Sequence, residues 1–184
     1  MSHLLELADL ARESAETCGQ SLNEAARLIA AAIRGGGKLL VCGNGGSSAD
    51  AGHFSAEFVG RYMTERRALP ALDMSSLPAI TAIGNDYGFQ FVFSRQIEAL
   101  GNPGDVLVII STSGMSPNLI EAVQVAWERH LGVVVLTGRS AHEHLQKADV
   151  WIAVPSSHTA HIQEVEIAIL HAICEGVEQR LESA

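Results

Sequence analysis

The sequence predicts an α/β fold on a mostly parallel sheet, and three observations carry that prediction. Five short runs rich in Val, Ile and Leu, KLLVC at 38–42, PALDM at 70–74, DVLVII at 105–110, GVVVLT at 132–137 and DVWIAVP at 149–155, have the composition of strands buried on both faces. Segments of helical period stand between them, at about 48–60, 78–84, 90–100, 117–130 and 141–147, so β and α alternate along the chain. Two longer helical patterns, at 3–34 and 160–182, bracket the alternation. Right-handed crossovers then put helices on both faces of the sheet.

The first helix lines up Leu22, Ala26, Ile29 and Ile33 at spacings of 4, 3 and 4. Ser21-Leu-Asn-Glu24 has the form of a capping box, and Gly35-Gly36-Gly37 ends the segment. The first strand runs into CGNGGSS at 42–48 and the third into STSGMSPN at 111–118. A strand that ends in such a turn and feeds a helix presents unpaired N–H groups and the positive end of a helix dipole to an anion. The first turn is no dinucleotide fingerprint, because Ser48 stands where the last glycine of G-x-G-x-x-G is needed, and it lacks the lysine of a Walker A loop. In the second, Ser111, Thr112, Ser113 and Ser116 place four hydroxyls around Gly114, with Ser116 as N-cap and Pro117 at the first helical position. Those hydroxyls can serve as helix caps alone or can hold a phosphate ester. The place of both turns after strand C-termini, where open α/β sheets bind ligands, favours the ester.

His53 and Glu57 fall at i and i+4 on the helix that follows the first turn, about 6 Å apart at Cβ. They can share a metal, act as an acid–base pair, or form a structural hydrogen bond. In the last helix Ile162, Val165, Ile167, Ile169, Leu170, Ile173 and Val177 form an apolar surface on more than one side, which implies a subunit contact. Gln163, Glu164, Glu166 and His171 interrupt it, and His171 fits either a buried structural role or a functional one. His3, His130, His142 and His144 lie in stretches that read as solvent-exposed and receive no role.

The chain of 184 residues, 47% hydrophobic and 18% charged, supports one well-buried core, hence a single domain over 1–184. A net charge of −9 argues against sequence-independent binding of nucleic acid, which needs Lys and Arg on phosphates. Cys18, Cys42 and Cys174 form neither a disulfide framework nor a zinc knuckle, and a reducing compartment fits them. With no secretory leader pattern and no membrane-length apolar run, a soluble cytoplasmic protein with no membrane partner is expected.

The segments CGNGGSSADAGHFSAEFVGR, AIGNDYGF, ISTSGMS and HIQEVEIAILH resemble, in order and spacing, the sugar isomerase (SIS) domain of the sedoheptulose 7-phosphate isomerases, or phosphoheptose isomerases, over roughly residues 20 to 180. The resemblance implies a three-layer αβα sandwich with a flavodoxin-like five-stranded parallel sheet. It also implies a homotetramer in which the helix at 1–34 is an extension used in oligomer packing. The implied reaction is isomerisation of sedoheptulose 7-phosphate to D-glycero-D-manno-heptose 7-phosphate through an enediolate, on the way to activated heptose for surface polysaccharide. One zinc ion per subunit is implied, with His53, Glu57, Gln163 and His171 as ligands and Glu57 and His171 as the acid–base pair. Asn44, Gly45, Gly46, Glu57, Arg61, Asn85, Asp86, Ser111, Thr112, Ser113, Ser116 and Gln163 are the implied substrate contacts. Three positions depart from the pattern: Met115 for a frequent Asn, Glu166 for a frequent His, and His161 for a frequent Arg. The last leaves room for a different phosphorylated ketose.

A second class of function on the same fold is a non-catalytic tetrameric adaptor that binds a replication initiator; such relatives lack the glutamate and the final histidine that Glu57 and His171 supply here. An isomerase of another phosphosugar is the remaining alternative. Gln163 and His171 are eight residues apart, about 12 Å along one helix, too far for easy sharing of one metal. Either Gln163 precedes the regular helix or the two ligands at each site come from different chains. The second arrangement would let inactive Glu57→Gln and His171→Ala subunits complement each other.

Overall fold

The computed structural model describes residues 2–182. Helix α1 (Ser2–Arg34) leads to β1 (Leu39–Gly43), α2 (Gly46–Val59), β2 (Ala71–Asp73), α3 (Leu77–Asp86), α4 (Ser94–Leu100), β3 (Val106–Ser111), α5 (Pro117–Glu128), β4 (Gly132–Thr137), α6 (Glu143–Gln146), β5 (Val150–Ala153) and α7 (Thr159–Glu182). All strand pairs are parallel, in the order β2-β1-β3-β4-β5.

Alternation along the strands divides the core into two layers. Leu39, Val41, Val106, Val108, Ile110, Val134 and Leu136 face α1, α2 and α7, whereas Leu40, Cys42, Leu107, Ile109, Val133 and Val135 face α4 and α5. This is the three-layer αβα sandwich expected. β1 and β3 are buried throughout, but β2 is not, because as an edge strand it has a neighbour on one side only.

Three local expectations change. Ser21 and Glu24 start no helix; they lie inside the unbroken α1, where Gln20 Nε2 donates to Glu24 at 3.0 Å. The pattern at 90–100 divides into a 3₁₀ turn at Phe89–Phe91 and α4, since Val92 and Phe93 turn into the core between them. The apolar residues of α7 are largely covered within the chain: Ile162, Val165, Ile169, Leu170, Ile173 and Val177 join one core cluster with Leu10, Cys18, Ala26, Ile29 and Ile33 of α1. They therefore do not by themselves call for a partner. Exposed apolar side chains lie elsewhere, on Leu77, Tyr87 and Phe89 around α3, which buries none of its residues.

Candidate active site

The strand order turns about the β1/β3 pair, with the connection after β1 going one way and that after β3 the other; the C-terminal edge at this point is where such sheets bind ligands. Both predicted turns meet there. Asn44 and Asn118 exchange amide hydrogen bonds of 3.0 and 2.9 Å and so lock the two turns together. In the second turn Ser111 Oγ accepts from the Gly114 N–H at 3.2 Å and Ser113 Oγ from the Met115 N–H at 3.3 Å. Ser116 caps α5 through its backbone position only, its hydroxyl making no cap bond. Gly114 has a φ of 60°, and a Cβ there would run into Ala141, so only glycine fits.

α2 starts at the first turn, and its rotation is fixed by Ala51, Phe54, Ser55 and Phe58, which face the core, with the two Phe rings in edge contact at 5.0 Å. The opposite side carries His53 and Glu57 towards α7. There His53 Nε2 lies 3.1 Å from Glu57 Oε1 and 3.4 Å from His171 Nε2. Tyr62 stacks on the His171 ring at 5.4 Å and 16°. Glu57 and His171 thus meet within one chain.

His53 Nε2 has room for one proton but two neighbours that want to share it. Convergence of this kind suits a cation: one ligand atom from each of His53, Glu57 and His171 lies within 4.8 Å of the others. Two imidazoles and a carboxylate form a donor set for a divalent transition metal. In this chain Gln163 is bonded to Asp50. It lies inside α7, which begins at Thr159, so the idea that it precedes the helix fails. Its amide packs over Gly46, where a Cβ would strike it.

The remaining predicted substrate residues are spread more widely. Asn85 Nδ2 donates to Asp86 Oδ1 at 2.8 Å on the exposed end of α3, and Arg61 is 3.6 Å from Glu65. No hydrogen bond or ion pair ties these three to the other predicted site residues. A cleft of about 540 Å³ between Gly35–Gly37 and Asn102–Gly104 is at the opposite edge of the sheet. Its charged pair, Lys38 and Asp105, is mutually satisfied at 2.5 Å, and no catalytic set converges there.

Two residues at the site were not singled out from sequence. Tyr62 is one; it has only its place after GlyArg to signal it. Asp50 is the other; it faces Glu166, which the sequence marks only as a polar interruption of α7, with Asp50 Oδ2 and both Glu166 carboxyl oxygens buried and unpaired. Burial, and then the Asp50 charge, push the Glu166 carboxyl up to about 8. Asp50 is also raised by burial, an effect opposed by its bond to Gln163 and by His53. Glu178 is the contrasting case. Burial would raise it, yet N–H donors from Thr64, Met63 and Tyr62 and the Arg66 guanidinium hold it below the usual carboxylate range. Through these bonds it fixes the loop that carries Tyr62 against His171.

A model of the SIS domain matches residues 3–138. The chain is 44% identical over 183 residues to the phosphoheptose isomerase of Methylibium petroleiphilum, covering 97% of this chain and 92% of that one. It is 48% identical to that of Laribacter hongkongensis, covering 97% and 93%. The solved phosphoheptose isomerase of Neisseria gonorrhoeae superposes with a TM-score of 0.91 at 43% identity, over 97% of this chain and 96% of that one. With these likenesses spanning both turns and the His53, Glu57 and His171 cluster, the chain belongs to the phosphoheptose isomerase family of SIS-domain proteins.

Proposed function

We infer that the protein is an aldose–ketose isomerase that converts sedoheptulose 7-phosphate to D-glycero-D-manno-heptose 7-phosphate, an early step towards activated heptose. The observation that carries this reading is the meeting of Glu57 and His171 beside a helix whose N-terminus opens on the hydroxyl-lined turns. Isomerisation needs one group to move a proton between C1 and C2 and another to manage the proton on oxygen. Glu57 is assigned the carbon-bound proton and His171 the oxygen-bound one, while His53 holds the Glu57 carboxylate and Tyr62 orients the His171 ring. Gly46 and His53 are seven residues apart, about 10 Å along α2. That is the scale of an extended heptulose phosphate, with its ester at Ser111, Thr112, Ser113 and Ser116 and its reacting end beside His53, towards which the Glu57 carboxylate reaches back at 3.1 Å.

Zinc is the proposed metal, and when bound by His53, Glu57 and His171 it would polarise the substrate oxygens against which negative charge develops. Gln163 as fourth ligand is supplied by a second copy of the chain, since its own amide bonds to Asp50 and lies over Gly46. A homotetramer is proposed, and the exposed apolar residues around α3 support it. In that assembly Asn85, Asp86 and Arg61 belong to sites completed between copies, and α1 contributes Leu4 and Leu5 to packing. No described helix is long and apolar enough to cross a membrane. A soluble cytoplasmic enzyme is the reading adopted.

The test is to incubate the purified protein with ketose phosphates of five to seven carbons and follow aldose formation. Sedoheptulose 7-phosphate should give the highest kcat/KM; preference for a shorter sugar would reassign the substrate. Ser113→Ala and Ser116→Ala should each raise KM by roughly 10- to 100-fold with a smaller change in kcat, the cost of one hydrogen bond to a charged ester remote from the reacting carbons. An unchanged KM in both would remove the phosphate from this turn.

A further inference from the structure

His3 is solvent-exposed, as the sequence reads, but it is not without contacts: it is the centre of a second cluster. Its Nδ1 lies 2.9 Å from His161 Nε2, and its Nε2 lies 2.9 Å from Glu164 Oε1. His161 is 6% exposed. The ring of His158 lies 4.2 Å from that of His161 and 6.4 Å from that of His3. His3 stands in the first turn of α1, and the other three flank or begin α7, so the cluster joins two helix starts through residues, His3 and His161, that are 158 apart in sequence.

One ligand atom from each of His3, His161 and Glu164 lies within 4.8 Å of the others. In tetrahedral zinc sites ligand bonds are roughly 2.0–2.2 Å, which sets neighbouring donors a little over 3 Å apart. The His161 Nε2 to His3 Nδ1 separation of 2.9 Å is close to that, and the Glu164 carboxylate, now on the other His3 nitrogen, lies within 4.8 Å and reaches the same metal by a side-chain rotation. Glu164 lies on α7 one residue beyond Gln163 but on the side of α1, so the cluster shares no residue with His53, Glu57 and His171. His161 is also one of the positions at which this chain departs from the family pattern.

We propose that His3, His161 and Glu164 form a second divalent-metal site of the zinc class, which ties the first turn of α1 to the first turn of α7. In the metal-free protein a single proton sits between His161 Nε2 and His3 Nδ1. Metal binding replaces that hydrogen bond by two metal–nitrogen bonds, the proton moving to the other nitrogen of its own ring so that both imidazoles bind neutral with no net proton release; acid weakens binding by protonating the rings in competition with the metal. Imidazole with a carboxylate suits zinc, nickel or copper over calcium or magnesium. His158 is the nearest further nitrogen ligand, and water completes the shell.

The proposal does not depend on the reading of the active site, and its test keeps the two apart. Metal-stripped full-length protein is equilibrated with zinc chloride, and bound zinc per chain is measured by atomic emission for the wild type and for a His3→Gln/His161→Gln double variant. The double variant should bind about one equivalent less. In parallel, zinc should slow amide exchange in the first turns of α1 in the wild type and leave it unchanged in the double variant. His53→Gln/His171→Gln should lose zinc elsewhere yet keep that protection. Glu164→Gln, a milder change on an exposed side chain, should weaken binding at the same site by roughly tenfold or more. Equal zinc content in the wild type and the double variant, or α1 exchange in the wild type that zinc does not slow, overturns the site.

Discussion

Glu57→Gln should lower kcat by on the order of 10³-fold while leaving the protein folded and KM little changed. The substitution is nearly isosteric, and the amide can still bond to His53, which now lies 3.1 Å from the carboxylate. What it removes is the ability to take a proton from carbon. His171→Ala should be as severe, although it also opens a gap beside Tyr62 and so is the less clean variant. Because Glu57 and His171 meet in one chain, mixed oligomers of the two inactive variants should stay inactive. That reverses the complementation expected if the two came from different chains. Near wild-type turnover in either variant would remove the acid–base assignment, and recovered activity in verified mixed oligomers would remove the one-chain site.

The fold was legible because the three middle strands are nearly pure Val, Ile and Leu and are separated by helices of clear period. Such runs have few other ways to be buried. The glycine of each turn was legible for a related reason: Gly46 and Gly114 sit where a side chain would collide with Gln163 or Ala141. Pairings between distant helices were not. Periodicity shows that α7 is apolar on several sides but does not say that α1, not another subunit, covers it. The same gap hid the contact of His3 with His161, and that of Asp50 with Glu166. The box at Ser21 misled because its residue spacing also fits a helix interior, where backbone dihedrals and not side chains decide.

Glu166 yields the second large effect, one of stability. Its carboxyl is fully buried with both oxygens unpaired, and Asp50 faces it. In the unfolded chain it titrates near 4.5, whereas in the folded protein burial and the Asp50 charge raise it to about 8. Below pH 4.5 it is protonated in both states, so it adds no dependence on pH there. Between the two values the unfolded chain loses the proton and the folded one keeps it. Unfolding then releases a proton, and stability falls by up to about 1.4 kcal/mol per pH unit. Above about 8 both states are ionised and the loss, on the order of 5 kcal/mol, is complete. Glu178 runs in the opposite sense: its lowered pKa gives stability that is present above 4.5 and is lost as the pH falls below it. A scan from pH 5 to 8 lies above the range in which Glu178 acts, and comparison with a Glu166 variant separates Glu166 from other groups, such as Asp50, whose carboxyl is also raised by burial. Glu166→Gln should leave stability at pH 5 nearly unchanged, flatten the decline, and make the protein more stable than the wild type at pH 8 by a few kcal/mol. Urea midpoints and slopes for both proteins, at one fixed chain concentration and at pH 5, 6.5 and 8, measure this directly. Parallel declines in the wild type and the variant would mean that Glu166 is already ionised in the folded state, and so that its carboxylate has a partner.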